Sequence, residues 1–517
     1  MKYRILLLFI IMLSIGCAKK ETHWQTDVLI PIVTSEMGVD DIFGAEYVVS
    51  NPDQSVSLVV EEYIDMLNMD SIVNVDDTIA IDIFSVPQIF TIPPGQKVIQ
   101  KEAVSKVNFG ALELTKSRAK RAKLKFYVSN YVKQPLLVKY ELYSATKDGV
   151  IFEVEEQVDA ATGGVATTVI KEIILDDYDL DLRGPNNDAY NTLYAQTTVW
   201  IHPDADTAIV APEDTIMIVS VFDEFVPEYA FGYLGTQNIS STSSSSIHTF
   251  GNFVSGSFDL NNAKATLDLY NFLGVDMTLI FNKLSSKNNS TNTEISLNHP
   301  IIGSSLNLQR GSESGMEDYP VYSKHYKYDI TNSNLDEMIE IQPDSLLISV
   351  SGIINPLGNI SAGNDFIYFD KGLEAKVSLE IPLNFSANNL VIRDKAKIYI
   401  DDDGIKGGYL NIYLKNGFPF DLDMQMYILD SQDAIIDSLF KDNTFIIGAE
   451  VDGSGVVSTI LKSEIRIKLT EELLRTLQNN SNMLIKARLN SIENKQYKLY
   501  EHYNLDIKVV GDFVYEI

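Results

Sequence analysis

The chain has 517 residues, with 41 lysines and arginines against 71 aspartates and glutamates, a net charge of −30. An apolar share of 45% excludes wholesale disorder, and a single cysteine excludes an intrachain disulfide framework or a cysteine-rich metal site. The acidic balance argues against nucleic acid as a partner, because each phosphate contact needs a cation.

The chain opens on a short basic stretch, Met1-Lys2-Tyr3-Arg4, and continues in an apolar run from Ile5 to Gly16 broken by Ser14. Spanning a bilayer takes about 20 residues, so this run has the length of a signal-peptide core instead. Cys17, the sole cysteine, follows at once. The segment resembles a bacterial lipoprotein signal, with one departure: Ser14 stands where leucine is usual, and Leu13 lies one place further back. The resemblance implies a signal peptide over 1–16 and a mature chain held to the membrane by acyl chains on Cys17. Loss of Lys2 and Arg4 would leave 39 basic and 71 acidic residues, a net of −32. No later segment reaches 18 uninterrupted apolar residues, so no spanning helix is expected. Cys17-Ala18-Lys19-Lys20-Glu21 resembles the charged signal that sends lipoproteins of the Bacteroidota to the cell surface. It leaves the surface and the periplasmic face both open. Proteins of that phylum are also O-glycosylated at Asp-Ser/Thr-apolar triplets. Such triplets occur at Asp70-Ser71-Ile72, Asp77-Thr78-Ile79, Asp206-Thr207-Ala208, Asp214-Thr215-Ile216, Asp344-Ser345-Leu346 and Asp437-Ser438-Leu439.

A tether and N-terminal segment fill 17–89. Beyond it, alternation of apolar and polar residues dominates, as in Lys123-Leu124-Lys125-Phe126-Tyr127-Val128, and marks half-buried strands. A pattern then recurs: a strand ending in asparagine, a short turn, and a returning strand. It appears at Leu124–Asn130 with Pro135–Leu142, at Ala265–Asn271 with Val275–Phe281, and at Gly408–Asn416 with Phe420–Met426. Asn130, Asn271 and Asn416 are 141 and 145 residues apart. Asparagine suits a strand-to-turn exit, so a structural role is expected for all three. Further along, Asn334–Ile339 reads as a short helix capped by Ser333. Thr470–Leu477 reads as another, capped by Thr470, with Leu473, Leu474 and Leu477 on one face. The region near Tyr190 to Leu193 gives a weaker helix signal in the first copy. The expected fold is mainly β, as tandem antiparallel sandwich or sheet units each with a short helix, over 90–225, 240–365 and 370–517. The serine run Ser240–Ser246 reads as a flexible linker or loop tip.

The strand–asparagine–turn–strand pattern resembles the late-embryogenesis-abundant WHy-type sandwich. With the helix added, it resembles tubular lipid-binding (TULIP) domains. The whole chain resembles the large outer-membrane lipoproteins of the Bacteroidota, on the strength of Trp24-Gln25-Thr26-Asp27-Val28-Leu29-Ile30-Pro31-Ile32 just behind the anchor. That likeness implies an outer-membrane location and brings no activity with it.

Catalytic chemistry has little support. There is no Gly-x-Ser-x-Gly elbow and no phosphate loop, and the six histidines are scattered without metal-ligand spacing. Within Asp176-Asp177-Tyr178-Asp179-Leu180-Asp181, a strand would place Asp177, Asp179 and Asp181 on one face, where their oxygens could hold calcium. Asp401-Asp402-Asp403-Gly404 could do so in a turn. Neither fits an EF-hand loop, and solvated turns are the alternative. Lys116, Arg118, Lys120, Arg121, Lys123 and Lys125 put six cations within ten residues of an acidic chain. They read either as a hairpin with a charged edge strand guarded against aggregation or as a contact for lipid head groups or an acidic partner. Three functions fit these features. The first is a non-catalytic scaffold or interaction subunit, with a protein partner in the outer membrane. The second is an apolar-ligand or lipid carrier with a tubular groove. The third is a surface glycan-binding or glycan-degrading protein, which would show an aromatic cleft with two convergent carboxylates.

Overall fold

The computed structural model describes residues 25–67, 78–248, 255–316, 320–400 and 404–516. Cys17, Asp70-Ser71-Ile72, Asp77 and Asp401–Asp403 lie outside the described residues. The fold is mainly β: antiparallel ladders predominate and the helices are short. Period-two patterning explains this directly, since one face of each strand is buried and the other meets water or a second layer. The chain packs into two compact units, each discontinuous in sequence. One draws on 1–59, 248–263 and 380–517, the other on 60–247 and 264–379. The stretch 90–225 thus falls within the second unit, 240–365 mostly so, and 370–517 mostly within the first.

The largest sheet of the second unit has ten strands, eight of which frame the candidate site and its surroundings. In chain order these eight are β1 (Thr78–Phe84), β2 (Glu113–Asn130), β3 (Leu136–Lys147), β4 (Thr167–Ile174), β5 (Asp179–Asp181), β6 (Thr192–Ile201), β7 (Ile216–Tyr233) and β8 (Asp365–Tyr368); Lys97–Lys106 beside β6 and Val150–Val158 beside β3 complete the ten. The long strands β2 and β7 pair along their whole length. β1 and β8 flank the two halves of β7, while β4 and β5 flank the two halves of β2. The inward phase of β2, Leu124, Phe126 and Val128, is buried, as are Val138, Tyr140 and Leu142 of β3. The rings of Phe126 and Tyr140 are 5.0 Å apart. Burial pushes the Tyr140 phenol up to about 12.

The repeated asparagines end their strands as expected, and each builds the same clasp. Asn130 Nδ2 donates to the carbonyls of Gln134 and Asp159, while its Oδ1 accepts from the Val132 amide. Asn271 does this with Val275, Gln309 and Leu273, and Asn416 with Phe420, Ile447 and Phe418. A backbone bond closes each clasp: Ala161 to Val132, Gly311 to Leu273, Ala449 to Phe418. All three asparagines are fully buried. Six residues after each comes a buried apolar residue (Leu136, Met277, Leu422) facing the strand that closes the copy, at Ile201, Ile354 and Leu489.

Helix α1 (Leu335–Glu340) precedes its strand as expected, but Asn334 takes the cap position in place of Ser333. Its side chain is bonded to Asn298 and Ser296 rather than to the helix. Helix α2 (Glu471–Asn479) is capped by Thr470, whose Oγ1 accepts from the Leu473 amide at 3.1 Å, and it buries Leu473, Leu474 and Leu477. The first copy has a turn in that place, with Asn191 at a φ of 52° bonded to Leu112 and Leu114.

The serine run is not a linker. Gln237–Ser246 is a strand paired residue for residue with Ser345–Ile354. Ladder bonds come from the backbone, so serine composition does not prevent them. Its side chains find partners too: Ser243 donates to the Asp65 carbonyl and Ser245 to the Glu62 carboxylate.

Candidate functional site

The basic segment lies in β2, which is paired on both sides and is neither a hairpin nor an edge strand. Strict alternation from Lys116 would turn Arg121, Lys123 and Lys125 inward. A bulge prevents this. Ala119 and Ala122 are buried while Lys120 and Arg121 between them are both exposed, and the pairing with β7 slips there. The turn 175–178 satisfies the loosened backbone. Tyr178 and Ala122 offer carbonyls to the Ala119 and Leu175 amides, and the Asp176 carboxylate accepts from the Ala122 amide at 3.1 Å. One extra residue therefore puts all six cations on the outer face of the sheet.

Half of these cations are matched by carboxylates. Lys123 lies 3.0 Å from Glu172 and 2.9 Å from Glu224, and Lys125 lies 2.6 Å from Asp223. The hydrogen bond that Lys123 donates to Glu224 does most to raise its ammonium above its ordinary pKa, and the one that Lys125 donates to Asp223 does the same there. Arg118 is 3.4 Å from Glu228. Lys120 and Arg121 have no partner among the described residues.

Asp177, Asp179 and Asp181 do not share a strand face as a triad. Asp177 sits in the turn before β5 at a φ of 65°, with Lys147 3.2 Å away. Asp179 and Asp181 do share a face of β5. Asp179 accepts from the Tyr229 hydroxyl. Asp181 takes both Nε and Nη2 of Arg183, at 2.9 and 2.6 Å, and the Arg183 hydrogen bond holds its carboxyl below the usual range. Among the described residues no group of three or more His, Cys, Asp or Glu side chains converges as a metal site.

The structure brings the separate basic and acidic motifs together. Directly paired residues share a face, so four strands lay two parallel rows across the sheet. The first row runs Tyr368, Tyr229, Arg118, Asp179, and the second Phe366, Phe231, Lys116, Asp181. Each row passes from aromatic through cationic to acidic. Ring pairs at 5.5 to 6.1 Å tie the four aromatics together, and Lys116 lies over Tyr229 at 5.1 Å. Burial, then the Asp179 carboxylate, pushes the Tyr229 phenol well above its ordinary value. Above the second row opens a cleft of about 600 Å³. The aromatics escape a sequence reading because β8 lies more than 130 residues from β7; the alternation Tyr229-Ala230-Phe231 was the only signal.

At the far end of β2 and β7 the same face is apolar. Rows run Ile83, Met217, Ser129, Thr168, then Ile81, Val219, Tyr127, Ile170, then Ile79, Val221, Lys125, Glu172. Ile81 and Ile170 are 61% and 62% exposed, and Ile79, Ile83 and Ile174 are similar. The ion pairs of Lys123 and Lys125 border this patch. Its sequence signal is the outward isoleucine phase of Thr78-Ile79-Ala80-Ile81-Asp82-Ile83-Phe84.

Other chemistry is sparse. His325 Nε2 is 2.6 Å from Asp268 and its ring stacks on Tyr270; no serine or cysteine hydroxyl or thiol bonds to it among the described residues. The apolar cavity beneath α1 holds about 40 Å³, and one in the first unit, lined by Phe43, Leu58 and Phe258, about 10 Å³. Ligand pockets run to roughly 300–1,000 Å³, so neither of these cavities provides the groove that an apolar-ligand carrier needs. No described helix is long and apolar enough to cross a membrane. Of the four Asp-Ser/Thr-apolar triplets that lie wholly within the described residues, Asp206-Thr207-Ala208 alone presents an exposed hydroxyl residue.

No family model and no curated protein matches the chain. Among solved structures, a Parabacteroides distasonis protein thought to be secreted aligns over 94% of this chain and 99% of its own, at 10% identity and a TM-score of 0.28. The PBCV-1 virus capsid aligns over 60% of this chain and 95% of its own, at 9% identity and a TM-score of 0.12. An infectious bursal disease virus structure aligns over 88% and 81%, at 8% identity and a TM-score of 0.13. Scores of this size do not mark a shared fold.

Proposed function

We propose that this chain is a non-catalytic interaction protein of the bacterial cell envelope, anchored at the outer membrane by lipid on Cys17 and docked to a protein partner through the apolar face of β1, β7, β2 and β4. The anchor rests on the basic start, the apolar run and the placement of the sole cysteine behind it. The observation that carries the partner is the patch itself. Single exposed aliphatics are ordinary on protein surfaces, but five isoleucines on one sheet face, rimmed by ion pairs, have the make-up of an interface core and rim. A protein covers this face more readily than an anionic bilayer does, because the mature chain carries a net charge of −32.

Two measurements test this. Cells fed an alkyne fatty acid label the wild type in the membrane fraction, and Cys17→Ala loses both the label and the membrane association. In a detergent extract the wild type migrates on a native gel as a complex larger than the monomer. The double variant Ile81→Asp with Ile170→Asp migrates as the monomer and keeps its melting temperature. An unlabelled wild type, or a native size that the double variant leaves unchanged, contradicts the reading.

A further inference from the structure

We infer that the cleft over the second row is a binding site for a neutral saccharide, independent of the partner face. A sugar ring presents an apolar C–H surface on one side and a rim of vicinal hydroxyls that both donate and accept. Recognition therefore needs a rigid aromatic platform beside fixed carboxylates and cations. Phe231 supplies the platform, half-buried and held by the rings of Tyr229, Phe366 and Tyr368. Asp181 supplies a fixed acceptor, because Arg183 grips both of its oxygens and removes its freedom to rotate.

The donors and acceptors left over point into the same chemistry. Lys116 is held over the rings by cation–π attraction, so its ammonium hydrogens have no acceptor among the described residues. Tyr229 takes one oxygen of Asp179 and leaves the other without a described partner. Glu313, whose backbone pairs with Val321, also lines the cleft, and its carboxylate has no described partner. Asn364 lines the same space, fixed by the Arg310 guanidinium on its carbonyl and by its own bond to Ser361. The site carries both signs of charge in near balance, which favours a neutral polyol over an anionic or cationic ligand. Its volume of about 600 Å³ falls in the range of small-molecule sites and is already open.

An array of neutral, uronic-acid and sialylated oligosaccharides, probed with the detergent-solubilised full chain, tests this. The expected result is binding to neutral saccharides, weakened at least tenfold in Phe231→Ala and in Asp181→Asn. Ile81→Asp, at the other end of the sheet, leaves the binding unchanged. Lys116→Met, altered only at the exposed rim, gives the same direction of change should Phe231→Ala fail to fold. Three outcomes overturn the inference: a wild type that binds nothing, binding confined to anionic glycans, or neutral-glycan binding that survives both Asp181→Asn and Lys116→Met.

Discussion

Three asparagines bear more of this fold than their number suggests. In each copy one side chain satisfies two carbonyls and one buried amide where the chain leaves the ladder. Leaving such groups unpaired costs about 1–3 kcal/mol apiece, partly relieved by relaxation. Asn416→Ala is therefore expected to lower unfolding free energy by about 3 kcal/mol in denaturant titration. Asn416→Asp should fare no better, because a carboxylate cannot donate to the Phe420 and Ile447 carbonyls. A loss below about 0.5 kcal/mol for either would show that the clasp does not hold the turn. Asp181 makes a second prediction at this scale. Arg183 depresses its folded pKa, so its contribution is present above the unfolded value of about 3.9 and fades as pH falls through the folded value. The stability difference between wild type and Asp181→Asn should be small and salt-sensitive at neutral pH and should vanish in strong acid. A difference that grows on acidification would show that the sign is wrong.

At the scale of the element, the bulge in β2 decides what the outer surface is. Deleting Lys120 removes the extra residue and leaves Ala119, Ala122, Leu124 and Phe126 inward and Arg121, Lys123 and Lys125 outward in strict alternation. That register buries no ammonium group, so the deletion should keep a cooperative thermal transition. Lys120→Ala and Arg121→Ala, which keep the register, should stay within about 0.5 kcal/mol of wild type. Loss of the thermal transition on deletion would mean that Lys120 is not the extra residue.

Over the whole molecule, what the sequence discloses is local and what it conceals is long-range. Strand alternation, the asparagine spacing and the Thr470 cap are all written within a few residues, and the structure keeps them. The bulge was hidden because Lys116–Lys125 holds no glycine or proline to mark it; what stabilises it is Asp176, some fifty residues away. The serine run misled for the opposite reason. Its composition suggests a linker, yet a partner strand a hundred residues on supplies the ladder. Both halves of the candidate cleft were visible as separate charged motifs, and only the pairing of β2 with β5 and β7 joins them to an aromatic wall. The apolar face likewise needs four strands to become a surface.

Whether a protein partner covers this face in the envelope can be read from a photo-crosslinking amino acid placed at position 81 or 170 and irradiated in intact cells. One discrete adduct of the same size is expected from both positions. None is expected from position 357, where Leu357 is exposed in a turn of the same unit. No adduct from positions 81 and 170, or the same smear from all three, would contradict a covered face.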